Sequence, residues 1–224
     1  MKEQIEYKQR VKDYGEVFTQ KREVNAMLNL VKQETERIDS RFLEPACGTG
    51  NFLSEILERK LKVVEKRYKN SQTEFEKYSI LAVSSIYGID IQEDNVIECR
   101  KRLFSIFDWK YTDLFQNKTK IECRSSIKFI LKKNIIWGDA LTLKTQGENP
   151  QPITFSEWSL VNGNMIKQRD FTMQVLINSY QSAQMEIFPE PDLFADFDEE
   201  EFFPESTTDY PLVHFLKLGK ADEN

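Results

Sequence analysis

Histidine is nearly missing from this 224-residue chain, which holds His214 alone, and the three cysteines Cys47, Cys99 and Cys123 form no Cys-x-x-Cys pair. These shortages leave no recognisable zinc ligand set, no even-numbered disulfide framework and little basis for Ser-His-Asp hydrolysis. A run of about 18 apolar residues, the least a membrane-spanning helix needs, is also lacking. The opening stretch Met1–Lys8 has no apolar core of the kind a secretory signal carries. No membrane association and a cytoplasmic location are therefore expected. Glycine (8) and proline (7) are too sparse for a collagen-like chain, and 40% hydrophobic with 30% charged residues excludes a wholly disordered one. One compact domain with a tail fits what is present.

The formal net charge of −6 is unevenly spread. Between Glu186 and Glu205 stand nine Asp/Glu and no Lys/Arg, whereas Met1–Met185 holds 29 basic against 25 acidic residues. The acidic stretch also carries Phe188, Phe194, Phe197, Phe202 and Phe203 and three prolines, which oppose regular secondary structure. It reads as extended, with its aromatics available to anchor on a partner's basic surface.

Apolar residues at Val24, Met27, Leu28, Leu30 and Val31 recur with helical spacing after Thr19, a candidate N-cap, and predict a helix of about five turns. Arg41–Ala46 is a short apolar run that ends in Cys47-Gly48-Thr49-Gly50-Asn51. Phe52, Leu53, Ile56, Leu57, Leu61 and Val64 then repeat with helical period. Strand, glycine turn and helix succeed one another. Further helices are predicted over Thr73–Ser85 and Glu93–Phe107, and further strands at Tyr87–Ile91, Asn134–Asp139 and Ile153–Leu160. Ser159–Asn164 reads as a turn. Strands alternating with helices predict an α/β fold with a doubly wound, mostly parallel sheet.

In such a sheet ligands bind beyond the carboxyl ends of the strands, where Glu44, Asp90 and Asp139 all stand. Gly48 and Gly50 present no Cβ to an approaching ligand, and the helix N-terminus at Asn51 favours an anionic group. A dinucleotide loop wants a small residue where Leu53 stands, and no Gly-Lys-Ser/Thr comes after it to mark a phosphate loop. A nucleoside with little phosphate remains, its ribose suited to Asp90 and its adenine amino group to Asp139. S-adenosylmethionine has those features. Cys47 reads as a small buried residue without a nucleophilic role.

Over residues 14–143 the chain resembles the adenine-specific DNA methyltransferases in which the cofactor motifs come first. Tyr14–Gln20 is similar to their N-terminal motif, Phe42–Leu53 to the glycine-loop motif, Tyr87–Ile91 to the ribose-binding motif and Ile136–Leu141 to the motif that reads the cofactor's adenine. The resemblance implies a Rossmann-like S-adenosylmethionine-dependent methyltransferase fold, truncated after about four strands. It also implies a cofactor site made of Phe18, Thr19, Glu44, Ala46, Gly48, Gly50, Asp90, Ile91, Asp139 and Ala140, with the Phe18-Thr19 pair on the methionine portion and Ile91 on the adenine.

One motif of that family has no counterpart here. Its members carry Asn/Asp-Pro-Pro-Tyr/Phe/Trp after the fourth strand, where the polar side chain and a carbonyl accept from the target amino group and the aromatic stacks on the flipped base. The nearest string, Asn149-Pro150-Gln151-Pro152, lacks the adjacent prolines and the aromatic. Residues 165–224 are too few and too acidic to complete the sheet and add target recognition. The expectation is therefore a cofactor-binding subunit of a split adenine-N6 methyltransferase of a restriction-modification system, without catalytic residues of its own. A second methyltransferase polypeptide would supply the tetrapeptide and the target recognition, and duplex DNA would be met through the complex. A degenerate assembly or regulatory subunit that binds no cofactor, and an acidic DNA mimic, are the alternatives.

The expected organisation is an N-terminal helical segment over 1–40, a cofactor-binding core over 41–165, a short helical segment over 166–185 and the acidic aromatic tail over 186–224. Lys60, Lys62, Lys66, Arg67 and Lys69 read as a solvated helix face. Lys128, Lys132, Lys133, Lys167 and Arg169 are alternative phosphate contacts.

Overall fold

The computed structural model describes residues 19–178 and 206–222; Phe18 and the acidic stretch 186–205 lie outside the described residues. The first helix, α1 (Lys21–Leu30), breaks at Val31 and resumes as the short α2 (Lys32–Thr35), so the predicted helix is shorter than five continuous turns. Its N-cap is Gln20 rather than Thr19, and Glu23 Oε2 accepts from the Gln20 backbone N–H at 3.4 Å.

The central strands are β1 (Phe42–Glu44), β2 (Ile86–Asp90) and β3 (Ile135–Asp139), all parallel in the order β1-β2-β3. A two-residue β4 (Lys144–Thr145) pairs antiparallel with β3. Helices α3 (Asn51–Tyr68) and α4 (Gln72–Ser84) connect β1 to β2, and α5 (Glu93–Phe115) and α6 (Ile121–Asn134) connect β2 to β3. The α3 stripe read from the sequence is real: Leu53, Ile56, Leu57, Leu61 and Val64 are all buried.

Strand register sorts side chains onto two faces, because residues directly opposite in neighbouring strands point the same way. Phe42 opposite Ile86, Glu44 opposite Gly88, and Gly88 and Asp90 opposite Ile135 and Trp137 put Glu44, Asp90 and Asp139 on one face. The helices pack there, and at Gly88 a Cβ would lie 2.9 Å from Leu53 Cδ1. Tyr87, Ile89 and Ile136 occupy the opposite face, in a separate cluster with Ile153, Phe155 and Met173.

That opposite face departs from the doubly wound expectation. It is covered by the end of an antiparallel hairpin and by the helical residues 173–178, with no returning crossover helix among the described residues. The hairpin joins β5 (Thr154–Val161) to β6 (Met165–Thr172) in a second sheet. The predicted fourth strand is thus correctly placed in the chain but does not extend the parallel sheet. The three-residue loop Asn162–Asn164 holds successive positive φ values at Asn162 (43°) and Gly163 (79°), a conformation that Asn and Gly adopt at low cost. Residues 166–172, the start of the helical segment expected over 166–185, are a strand for the same reason.

The final stretch is not extended either. Strands β7 (Thr208–Asp209) and β8 (Val213–His214) pair with β6, and the 3₁₀ helix Phe215–Asp222 lies on α6. Phe215 and Leu218 are buried, and Gly219 approaches so closely that a Cβ would sit 2.7 Å from that of Ser125. Asp170 ties this return to the hairpin by accepting from Ser156 Oγ (2.6 Å), Gln168 Nε2 (3.2 Å) and Tyr210 Oη (3.0 Å).

Lys60 corrects the solvated-face reading at one position. It is fully buried, and its Nζ donates to the carbonyls of Arg37 (3.1 Å), Ile38 (3.0 Å) and Ser40 (2.5 Å) and to Ser85 Oγ (2.7 Å). The ammonium therefore clips the segment entering β1 to the start of β2. Burial lowers its pKa from the ordinary lysine value to about 7.

Candidate functional site

At the carboxyl end of β1 the chain turns sharply: Cys47 N–H donates to Ile89 O on β2 at 2.8 Å, and Gly50 N–H to Cys47 O at 2.8 Å. Both glycines hold left-handed backbone, with φ of +52° at Gly48 and +85° at Gly50. Their surroundings differ. A Cβ on Gly48 would meet nothing within 4 Å, whereas one on Gly50 would come within 2.7 Å of Cys99 Sγ. Gly48 faces open space and Gly50 lets the loop settle onto α5, so only the first matches the role expected of both.

Asp90 reaches directly to this loop. Its Oδ2 accepts from Gly48 N–H at 2.8 Å, and Oδ1 accepts from Gln92 N–H at 2.9 Å and Asn95 Nδ2 at 3.1 Å. The residue is 8% exposed. Three of roughly four lone-pair sites are filled, which leaves one on the loop side. Asp90 therefore does first what the sequence reading did not foresee: it fastens the glycine loop to β2 and to the start of α5. The bracing residues Gln92 and Asn95 lie two and five positions after it, a local Asx pattern legible in the sequence.

Asp139 stands further along the same face. It accepts from Leu141 N–H at 2.9 Å and Thr142 Oγ1 at 3.1 Å, a turn cap that leaves both oxygens further acceptor capacity. Glu44 is half-buried at the end of β1, and burial raises its pKa, opposed by the Ala46 N–H that it accepts at 3.4 Å. Ile91 is 50% exposed and Leu141 95%, so apolar side chains border the ends of β2 and β3. Trp137, directly opposite Asp90 in the register, donates its indole N–H to Ile91 O at 3.0 Å and braces that rim.

Helix α3 starts at the loop with Gly50 as N-cap, no capping side chain and no acidic residue in its first turn. Its leading N–H groups and the positive end of its dipole are left for an anion. Asn51, its first residue, donates to Thr19 O at 3.3 Å and accepts from Arg102 Nη1 at 2.6 Å. Thr19 is thereby brought to the glycine loop. Arg102, on α5, is a cation beside the loop that no sequence pattern indicated.

Of the residues expected at the site, Glu44, Ala46, Gly48, Asp90 and Ile91 gather at the ends of β1 and β2, with Thr19 attached through Asn51. Asp139 lies on the same face at β3. Ala140 does not join them: it packs on the opposite side with Ile89 and Ile153. The adjacent Cys99 thiol and burial raise the Cys47 pKa far above the physiological range, in keeping with an inert residue.

The family described as MmeI, DNA-methyltransferase domain, matches residues 18–181 of the chain. Searches of curated proteins and of solved structures give no match.

Proposed function

The chain belongs to the MmeI DNA-methyltransferase domain family, and from that premise we propose that it holds S-adenosylmethionine for adenine-N6 methylation in a restriction-modification enzyme. The observation that carries this reading is the hydrogen bond from Gly48 N–H to Asp90, which locks a loop open at Gly48 beside two acceptor carboxylates on one sheet face. The donor set fits the cofactor's parts. The uncapped start of α3 suits a carboxylate, the remaining lone pair of Asp90 a ribose hydroxyl, Asp139 an adenine amino group and Ile91 the flat face of the ring. When bound, the cofactor supplies an electrophilic methyl group. The chain's own residues bind and orient it: Asp90 fixes the loop geometry, and Trp137 fixes the Ile91 backbone.

Base handling lies outside these 224 residues, which contain no Asn/Asp-Pro-Pro-aromatic sequence, and a second polypeptide is the proposed source. The side of β1 away from β2 carries no strand among the described residues. Leu43, Met27 and Val31 are exposed there, around a cavity of about 230 Å³. A strand added at this edge would continue the sheet and end beside the glycine loop, the place where a target amino group must meet the methyl donor. The partner strand is therefore proposed at the β1 edge.

The test is methyl transfer to adenine in duplex DNA by this chain alone, by a candidate partner carrying the tetrapeptide alone, and by both together. Activity only in the mixture, weakened by Asp90→Ala, is expected; robust transfer by this chain alone refutes the split.

A further inference from the structure

A wide concavity lies away from the strand ends. It is a groove of about 1280 Å³ between α1, α3 and α5. Seven cationic and four anionic side chains line it. The anions are paired, Glu55 and Glu58 sharing Lys21 at 2.6 and 3.8 Å, Glu65 with Lys110 at 2.5 Å and Glu36 with Lys32 at 3.6 Å. Arg59 and Arg102 are held by Asn25, Asn29 and Asn51, while Lys62, Lys66 and Lys69 are exposed with no carboxylate within ion-pair distance among the described residues.

These three lysines stand four and three residues apart, Lys62 and Lys66 on α3 and Lys69 at its C-cap in helical backbone, so they form one stripe that repeats about every 4.5–6 Å along the helix axis. Across the groove on α5 is Trp109, 70% exposed, with Val63 and Ile106 as apolar lining. A large flat aromatic left in water opposite a row of unpaired cations satisfies no folding requirement. It is the pairing that single-stranded nucleic acid uses, phosphates on lysines and bases on an aromatic face. Arg102 lines the same groove and donates to Asn51 beside the glycine loop, so the groove starts where the candidate site ends.

We propose that this groove binds a strand of DNA, with Lys62, Lys66 and Lys69 on its phosphates and Trp109 stacked on an unpaired base. The choice of DNA rests on membership of a DNA-methyltransferase family. The charge and exposure that define the groove are independent of the cofactor reading. The strand would be held on the helical face of the domain, outside the crevice where the methyl group would be transferred.

The experiment measures fluorescence anisotropy of a labelled single-stranded oligonucleotide, and of the same sequence as duplex, against salt concentration with the full chain. Lys62→Glu/Lys66→Glu/Lys69→Glu is compared with wild type and with the charge-matched control Lys118→Glu/Lys217→Glu/Lys220→Glu. The groove variant is expected to bind at least about tenfold more weakly, and its salt slope to fall by about 2, near 0.7 per lost phosphate contact. Trp109→Ala should weaken single-strand binding about fivefold or more and duplex binding less. All substituted positions are exposed, and unchanged thermal melting verifies the fold of each variant. Equal losses in groove variant and control, or an unaffected Trp109→Ala, would overturn the proposal. So would lysine-dependent binding of an acidic phenylalanine-rich peptide by a chain that ignores both oligonucleotides. Failure of the cofactor reading shows separately, as absent S-adenosylmethionine binding, and leaves these results intact.

Discussion

Replacing Asp90 by asparagine keeps the side-chain shape and removes one of two acceptor oxygens. In the native site one oxygen serves Gly48 N–H at 2.8 Å and the other serves Gln92 N–H and Asn95 Nδ2 at 2.9 and 3.1 Å. An amide in that place points its NH₂ at one of these donors whichever way it turns. The loss of a hydrogen bond to a charged acceptor is worth about 1.5–3 kcal/mol, and a buried N–H without a partner costs about 1–3 kcal/mol. The two overlap, so a net destabilisation of roughly 2–4 kcal/mol is expected, or about 5–15 °C in melting temperature for a chain of this size. Circular dichroism melting gives the global figure. Amide exchange at Gly48 locates it, because that N–H should be protected in wild type and should exchange rapidly in Asp90→Asn. Melting within about 2 °C of wild type, with Gly48 still protected, would refute the claim that Asp90 holds the loop.

The two loop glycines should respond differently to alanine. Gly48→Ala meets open space and should cost only about 1 kcal/mol of backbone strain while weakening S-adenosylmethionine binding in calorimetry. Gly50→Ala drives a methyl against Cys99 and should cost roughly 2–4 kcal/mol, partly restored by adding Cys99→Ala. A Gly50→Ala variant as stable as wild type would contradict the packing argument. For Lys60, the buried ammonium titrates near 7 while an unfolded lysine titrates near 10.5. Between those values the unfolded chain holds the proton that the folded chain has released, so stability should rise with pH across that window by roughly 3–5 kcal/mol. Lys60→Met should remove that rise, measured as the difference between urea unfolding free energies of the two proteins at pH 6 and pH 10. Parallel pH profiles would show that Lys60 keeps its ordinary titration.

Much of the parallel sheet is legible because its signals are local. Strand, glycine turn and amphipathic helix succeed one another over Phe42–Val64, and the same alternation places β2 and β3 within a residue of their observed bounds. Long-range pairing is less legible. The run 153–160 has the composition of a buried strand, but whether it joins the parallel sheet depends on the residues after it, and Asn162-Gly163 commits it to a hairpin with Met165–Thr172. Burial of Lys60 is also a tertiary outcome: it needs carbonyls from Arg37 to Ser40 that are distant in sequence. At the site, strand-end carboxylates are readable from position alone. Their division of labour is not, since Asp90 is occupied by a loop N–H 42 residues away and Arg102 reaches Asn51 across 51 residues.

The central claim is that the Gly48 loop, Asp90 and Asp139 together hold the methyl donor. Isothermal titration of S-adenosylmethionine into the full chain and into Asp139→Asn tests it most directly. One-to-one saturable binding by wild type, about tenfold weaker in Asp139→Asn for the loss of a charge-assisted acceptor, is predicted. No saturable heat with the wild-type chain, or identical affinities for the two proteins, would contradict it.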